Sequence, residues 1–275
     1  MRRRALHLAL IASMLGALCA WAVVLSMGPR VKARKASDRL VEKAQQLGGE
    51  GDRSASRQLV EQALAVDQSN PRARRELAMH LIGERRSEPA LEELRWVAVA
   101  QSTDAGAARE LAALLYTMGD RGSAVHWLRQ AVKREPKSAL AYAELAHCLI
   151  EMGDAAGGLR AAEQAVALSP RLQSAQMVLG RACWYSGDLA GARAALEEAL
   201  RLRPRDVEAL LAAAAVSSEL GHGDAAIAYA RRAVQADPRS ARAWLVLARA
   251  LAEAGRIAEA REAVSRAQAL DAAMR

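Results

Sequence analysis

The sequence predicts an all-α chain: seven helical hairpins stacked into a solenoid behind an N-terminal apolar span. Three observations predict it. Gly51, Gly119, Gly153, Gly187, Gly221 and Gly255 lie on one 34-residue comb, with Arg85 in the remaining slot. A second comb, Pro136, Pro170, Pro204 and Pro238, has the same spacing. The composition is rich in Ala, Leu, Arg and Glu, with no Phe and 3% aromatic residues, which suits helices and not strands. A fixed period of this length is the mark of a repeat array, and so of a protein that binds and does not catalyse.

Residues 1–4 form a basic tail. From Ala5 to Met27 there is no Asp, Glu, Lys or Arg, and as a helix the segment would extend about 34 Å, enough to cross a hydrocarbon core of roughly 30 Å. The expectation is a transmembrane anchor. The competing reading is a cleaved signal peptide, because Ala20-Trp21-Ala22 fits a small-x-small cleavage pattern. Arg2, Arg3 and Arg4 favour a cytoplasmic N-terminus and an extracytoplasmic body, whereas Arg30, Lys32, Arg34 and Lys35 oppose that orientation. The localisation expected is a single-pass inner-membrane protein with the array outside; a cytoplasmic array and secretion after cleavage are the alternatives.

Residues 28–36 read as a short basic linker. They and the tail hold the charge excess: the net charge is +8, yet beyond residue 36 thirty-two basic residues face thirty-one acidic ones. The array is close to neutral and offers no basic face for nucleic acid.

From Ser37 the chain divides into 34-residue frames without insertion or deletion: 37–70, 71–104, 105–138, 139–172, 173–206, 207–240 and 241–274. The eighth slot is Ala44, Ala78, Ala112, Ala146, Gly180, Ala214 and Ala248; the twentieth and twenty-seventh are nearly as small. Small residues there let the two helices of a hairpin approach closely. Larger apolar residues stand between them, as at Leu111, Leu145 and Leu247, and slots 4, 7, 8 and 11 share one helical face. Four turns pair a helix-ending glycine with an acidic residue suited to capping the next helix: Gly51-Asp52, Gly119-Asp120, Gly153-Asp154 and Gly187-Asp188. The prolines fall just past each second helix, where a missing N–H costs little.

These residues resemble the tetratricopeptide-repeat family, whose pattern is a large apolar residue, then Leu and a small residue, further small residues and a late proline at this period. The resemblance covers 37–274. It is most complete in the frame from Ala139, with Tyr142, Leu145, Ala146, Leu149, Gly158, Ala165 and Pro170. Arg85 for glycine, Ser102 for proline and Lys43 in a seventh slot depart from it.

The resemblance implies a right-handed superhelical solenoid whose first helices line a concave groove that takes extended or helical peptides. The groove slots carry Arg75, Arg109, Tyr116, His147, Arg181, Trp184 and Tyr185, together with Arg72, Arg242 and Arg249 and the acidic Glu151, Glu208, Glu219 and Glu253. A run from Arg75 through Arg109 and His147 to Arg181, beside two aromatics, suits an acidic peptide or a C-terminal carboxylate. The opposing reading is a set of solvated arginines. The carboxylate clamp of chaperone-binding members is missing.

No cofactor, metal or catalytic site is expected. Gly221-His222-Gly223-Asp224 sits in a repeat turn with no strand before it, and the histidines of the array occupy separate frames. Trp96, Trp127 and Trp244 lie on or beside apolar helix faces and read as packing. Cys148 and Cys183 read as buried thiols or, in an oxidising compartment, a bridge between neighbouring hairpins. The function expected is a membrane-anchored scaffold binding a protein or peptide partner in envelope assembly. A cytoplasm-facing adaptor and an accessory subunit of an enzyme are the alternatives.

Overall fold

The computed structural model describes residues 28–273, and the expected tail (1–4) and apolar span (5–27) lie outside them. Among the described residues there are fourteen helices and no strand. They are α1 (28–49), α2 (Arg53–Val66), α3 (Pro71–Gly83), α4 (Ser87–Ala100), α5 (Ala105–Thr117), α6 (Arg121–Arg134) and α7 (Ala139–Glu151). There follow α8 (Ala155–Leu168), α9 (Gln173–Ser186), α10 (Leu189–Leu202), α11 (Val207–Glu219), α12 (Gly223–Ala236), α13 (Ala241–Glu253) and α14 (Ile257–Ala273). Among these no helix is long and apolar enough to cross a membrane. The chain forms two compact units that divide inside α5, after Leu114.

Residues 28–36 are the stretch read from the sequence as a basic linker. They are helical and form the start of α1, where Ala33 and Ala36 among Lys and Arg are good helix formers. Arg34 then reaches across to Asp67 and to the carbonyl oxygen of Ser69, at 2.9 Å for the latter, so this stretch is fastened to the first hairpin.

The turns inside the hairpins share one backbone scheme, and four of them add an aspartate cap. Gly153 has φ +85°, and the N–H after it, that of Asp154, donates 2.9 Å back to the Leu149 carbonyl, closing the end of α7. Asp154 then accepts from the Gly157 amide at 2.8 Å and starts α8. Arg85, which breaks the glycine comb, takes the same left-handed conformation at φ 60°, and Arg86 N–H donates 2.9 Å to Leu81 O. The turn geometry is thus held by packing even where a side chain makes it costly.

The small-residue slots are buried throughout, and the two glycines among them show why. A Cβ on Gly180 would lie 2.7 Å from Leu196 Cγ, and one on Gly158 would lie 2.6 Å from Ile150 Cγ1. At these points α9 meets α10, and α7 meets α8, more closely than alanine permits. In the unit from Leu115, first helices pack on both helices of the preceding hairpin: α9 on α7 and α8, α11 on α9 and α10, α13 on α11 and α12. That stacking builds a continuous core of Leu196, Leu210, Leu211 and Val216, followed by Ile227, Leu247 and Leu251. In the unit up to Leu114 the core of the first three helices is Val41, Ala63 and Ala73.

Candidate functional site

The groove residues expected from the sequence fall into both units, and each unit treats its arginines differently. In the first, Arg75 on α3 reaches Asp104 at 3.0 Å and Glu110 at 2.7 Å. Burial pushes the Glu110 carboxyl up, and Arg75 and Arg109 work against that shift by their charge. Arg75 is thus engaged by this chain's own carboxylates, and Arg109 stands half-buried beside Glu110 on α5. A separate cleft of about 610 Å³ in this unit is lined mainly by polar residues, among them Gln45, Arg57, Glu76 and His80.

In the second unit, Tyr116, His147 and Arg181 come from three successive first helices and form one chain of contacts. Arg181 donates 2.8 Å to His147 Nδ1, and the other ring nitrogen, Nε2, lies 3.1 Å from the Tyr116 hydroxyl. A guanidinium can only donate, so Nδ1 holds a lone pair and the proton of the neutral ring sits on Nε2, facing Tyr116. Burial, then the Arg181 charge, pulls the His147 pKa down. Arg181 also pairs with Glu151, whose pKa is lowered by that bond. Arg121 lies over the Tyr116 ring at 5.7 Å.

Next to this network a cleft of about 460 Å³ opens between α9, α11 and α13. Met177, Trp184, Leu211, Ala215 and Val246 supply its apolar lining, and Tyr185, 60% exposed, stands at its mouth. Trp184 donates its indole N–H to Glu219 at 2.9 Å, which fixes the ring, and the Trp184 and Tyr185 rings lie 5.9 Å apart. Arg242 donates to both oxygens of Glu208 at 2.8 Å, and Arg249 donates to Glu253 at 2.8 Å. The result is an apolar floor with paired charges around it, suited to an apolar side chain with polar backbone on either side.

Sequence reasoning found Arg181, Trp184 and Tyr185 on this wall but passed over Met177, Leu211 and Val246. The first two occupy the fifth slot of their frames, one of the groove slots, so the signal was present. It was missed because polar residues drew attention there.

Other candidates resolve as packing. Trp96 lies under the Arg74 guanidinium at 4.4 Å, and Trp244 donates to the Pro238 carbonyl at 3.0 Å. Trp127 stands edge-on to His126, with Arg134 5.9 Å from its ring. Cys148 and Cys183 are free buried thiols; burial raises both, Cys148 to about 11. Among the described residues no three His, Cys, Asp or Glu side chains converge on a metal position.

Comparison with known proteins places this geometry. Tetratricopeptide-repeat family models match residues 109–172, 144–207 and 177–217, and a further one matches 218–273, together more than half of the chain. Among curated proteins no match was found. Among solved structures, pilF of Pseudomonas aeruginosa superposes with a TM-score of 0.67 at 18% identity, over 77% of this chain and 96% of that one. PilW, described as a widely conserved type IV pilus biogenesis factor, gives 0.68 at 19%, over 77% and 98%. A tetratricopeptide repeat protein of Parabacteroides merdae gives 0.69 at 12%, over 86% and 93%. At these identities the likeness is one of fold.

Proposed function

The chain belongs to the tetratricopeptide-repeat family, and from that premise we propose that it is a non-catalytic scaffold, anchored in a membrane by residues 5–27, whose array binds a protein partner in an envelope assembly. Repeats of this family generally mediate protein–protein interaction. The observation that carries the proposal is the cleft between α9, α11 and α13, where Trp184 and Tyr185 stand at an apolar floor. Fixed aromatics at the edge of a cleft are the residues that most often carry binding energy at interfaces. The anchor and the orientation, with the array outside the cytoplasm, rest on the uncharged 5–27 segment and on Arg2–Arg4 ahead of it. The pilus biogenesis role of PilW, a structure of the same fold, agrees with an envelope setting.

The partner we infer places an apolar side chain on this floor. An acidic segment or C-terminal carboxylate, the partner expected from the arginine run, would have to displace Glu151 from Arg181 or Glu208 from Arg242. Photocrosslinking from membranes tests the reading. A crosslinking residue in place of Tyr185 should capture one defined protein, and one in place of Arg160 on α8 should not. Trp184→Ala should reduce the yield from a nearby crosslinker with helicity unchanged. Equal capture from both positions would reject the cleft. A reporter fused after Arg275 should be active only outside the cytoplasm; activity inside would reject the orientation alone.

A further inference from the structure

The α13–α14 hairpin carries a second surface, which adjoins the cleft at Arg249. Leu211 and Leu245 hold the same slot in successive frames, yet Leu211 is 3% exposed and Leu245 48%. The difference is the neighbour. Leu211 shares a core with Ala243 and Val246, because α13 lies on α11 and α12. On α13 and α14 the corresponding face is open: Leu245, Ala248, Ala252, Ile257 and Val264 line a depression of about 700 Å³. Ile257 is 50% exposed. Arg249 and Arg261 are the only charged side chains in this lining; Arg249 is held by Glu253 from its own helix, and Arg261 is exposed.

The molecule itself shows what covers such a face. The covering element is a first helix, laid against both helices of the hairpin before it, with its small and large apolar residues turned inward. In α13 these are Ala243, Leu247, Ala250 and Leu251, all buried. The α1 helix of a second copy is a poor match for that element. In α1 the slots matching Ala243, Leu247 and Ala250 are Arg39, Lys43 and Gln46, which are exposed. Docking α1 there would bury two cations against an apolar face that already carries arginines. Those slots of α1 are polar, and the α13–α14 face is lined mainly by apolar residues.

We propose that the α13–α14 face receives an amphipathic helix of a partner protein, one with an Ala/Leu stripe flanked by carboxylates that meet the exposed Arg261. The partner helix continues the stacking by one element, so its contact is an extension of the interface already built between α12 and α13. The apolar lining of this face differs from that of the α9–α11–α13 cleft, and Arg249 borders both.

A helix-stapled, fluorescent 13-residue peptide with the α13 sequence, carrying Arg242→Glu and Arg249→Glu, is the probe. Anisotropy against the full chain should show saturable binding, weakened at least about tenfold by Ile257→Asp, which removes a half-exposed apolar contact. Ala252→Glu gives a second readout if the first variant loses helicity. Arg261→Glu should weaken the acidic peptide and favour the unsubstituted α13 peptide, an inversion that steric damage does not produce. No saturation up to about 1 mM, a millimolar Kd being the weak end of specific binding, overturns the proposal. So does equal binding by wild type and both face variants. Concentration-dependent dimerisation of the chain that Ile257→Asp abolishes would assign the face to a second copy and overturn it as well.

Discussion

Up to Leu114 the contact between the first two hairpins adds buried polar side chains to the small apolar core of Val41, Ala63 and Ala73. Asn70, fully buried, donates to the Ser37 hydroxyl at 2.8 Å and to Asp38 at 2.9 Å, and Ser37 donates to the Ala63 carbonyl. Ser56 sits 3.1 Å from His80 Nε2. From Leu115 on, the slots of Ser56 and His80 are filled by Ala192 and Val216, both fully buried in one apolar core. One hairpin geometry therefore stands on two chemistries. Apolar packing tolerates small shifts and is paid for by area, whereas buried polar contacts hold only while every group keeps its partner.

The largest test of that contrast is Leu196→Ala. Leu196 is fully buried between α9 and α10, and its loss should cost about 2–5 kcal/mol, confined to the second unit when read by hydrogen exchange. Asn70→Ala comes next. It removes the cap of α3 and leaves Ser37 short of a donor, so about 2–3 kcal/mol is expected, against about 1 kcal/mol for Asp206→Ala, which removes the cap of α11. Equal urea-midpoint shifts for these two would remove the distinction between the units.

Turn variants should then move in opposite directions by about 1 kcal/mol each. Arg85→Gly relieves a side chain at positive φ and stabilises; Gly153→Ala introduces one and destabilises. Thermal melts of the pair decide it. A smaller effect is expected from pH. The His147 pKa is lowered in the folded chain, so the unfolded chain takes up a proton first as pH falls through about 6.5. Stability contributed by neutral His147 is complete above that pH and is lost on acidification towards the folded pKa. His147→Gln should flatten the urea midpoint between pH 7.5 and 5 relative to wild type. Least of all, Arg242→Ala should change stability by no more than about 0.5 kcal/mol, because that pair is exposed on both sides.

How far the sequence could be read differs between the turns and the site. The helix starts at Pro71, Ala105, Ala139, Gln173, Val207 and Ala241 coincide with the frame starts, since a cap and a turn act within a few residues of themselves. Arg85 looked like a defect and forms the same turn, because tertiary contacts override one local preference. The arginine run was legible as residue types but not as available charge: Arg75 and Arg181 are met by Glu110 and Glu151, partners that only the packed helices bring within reach. Met177 and Leu211 were passed over for a related reason, since an apolar residue in a groove slot looks like core until the neighbouring helix is in place.

The sequence by itself determined the period, the turns, the small-residue contacts and the all-helical repeat class, because each depends on residues close in the chain or recurring at a fixed interval. Tertiary structure alone decided which apolar side chains of equivalent slots are covered. Leu211 is buried and Leu245 is open although the slot is the same. Burial belongs to the next element in the stack, and no residue encodes its neighbour's surface.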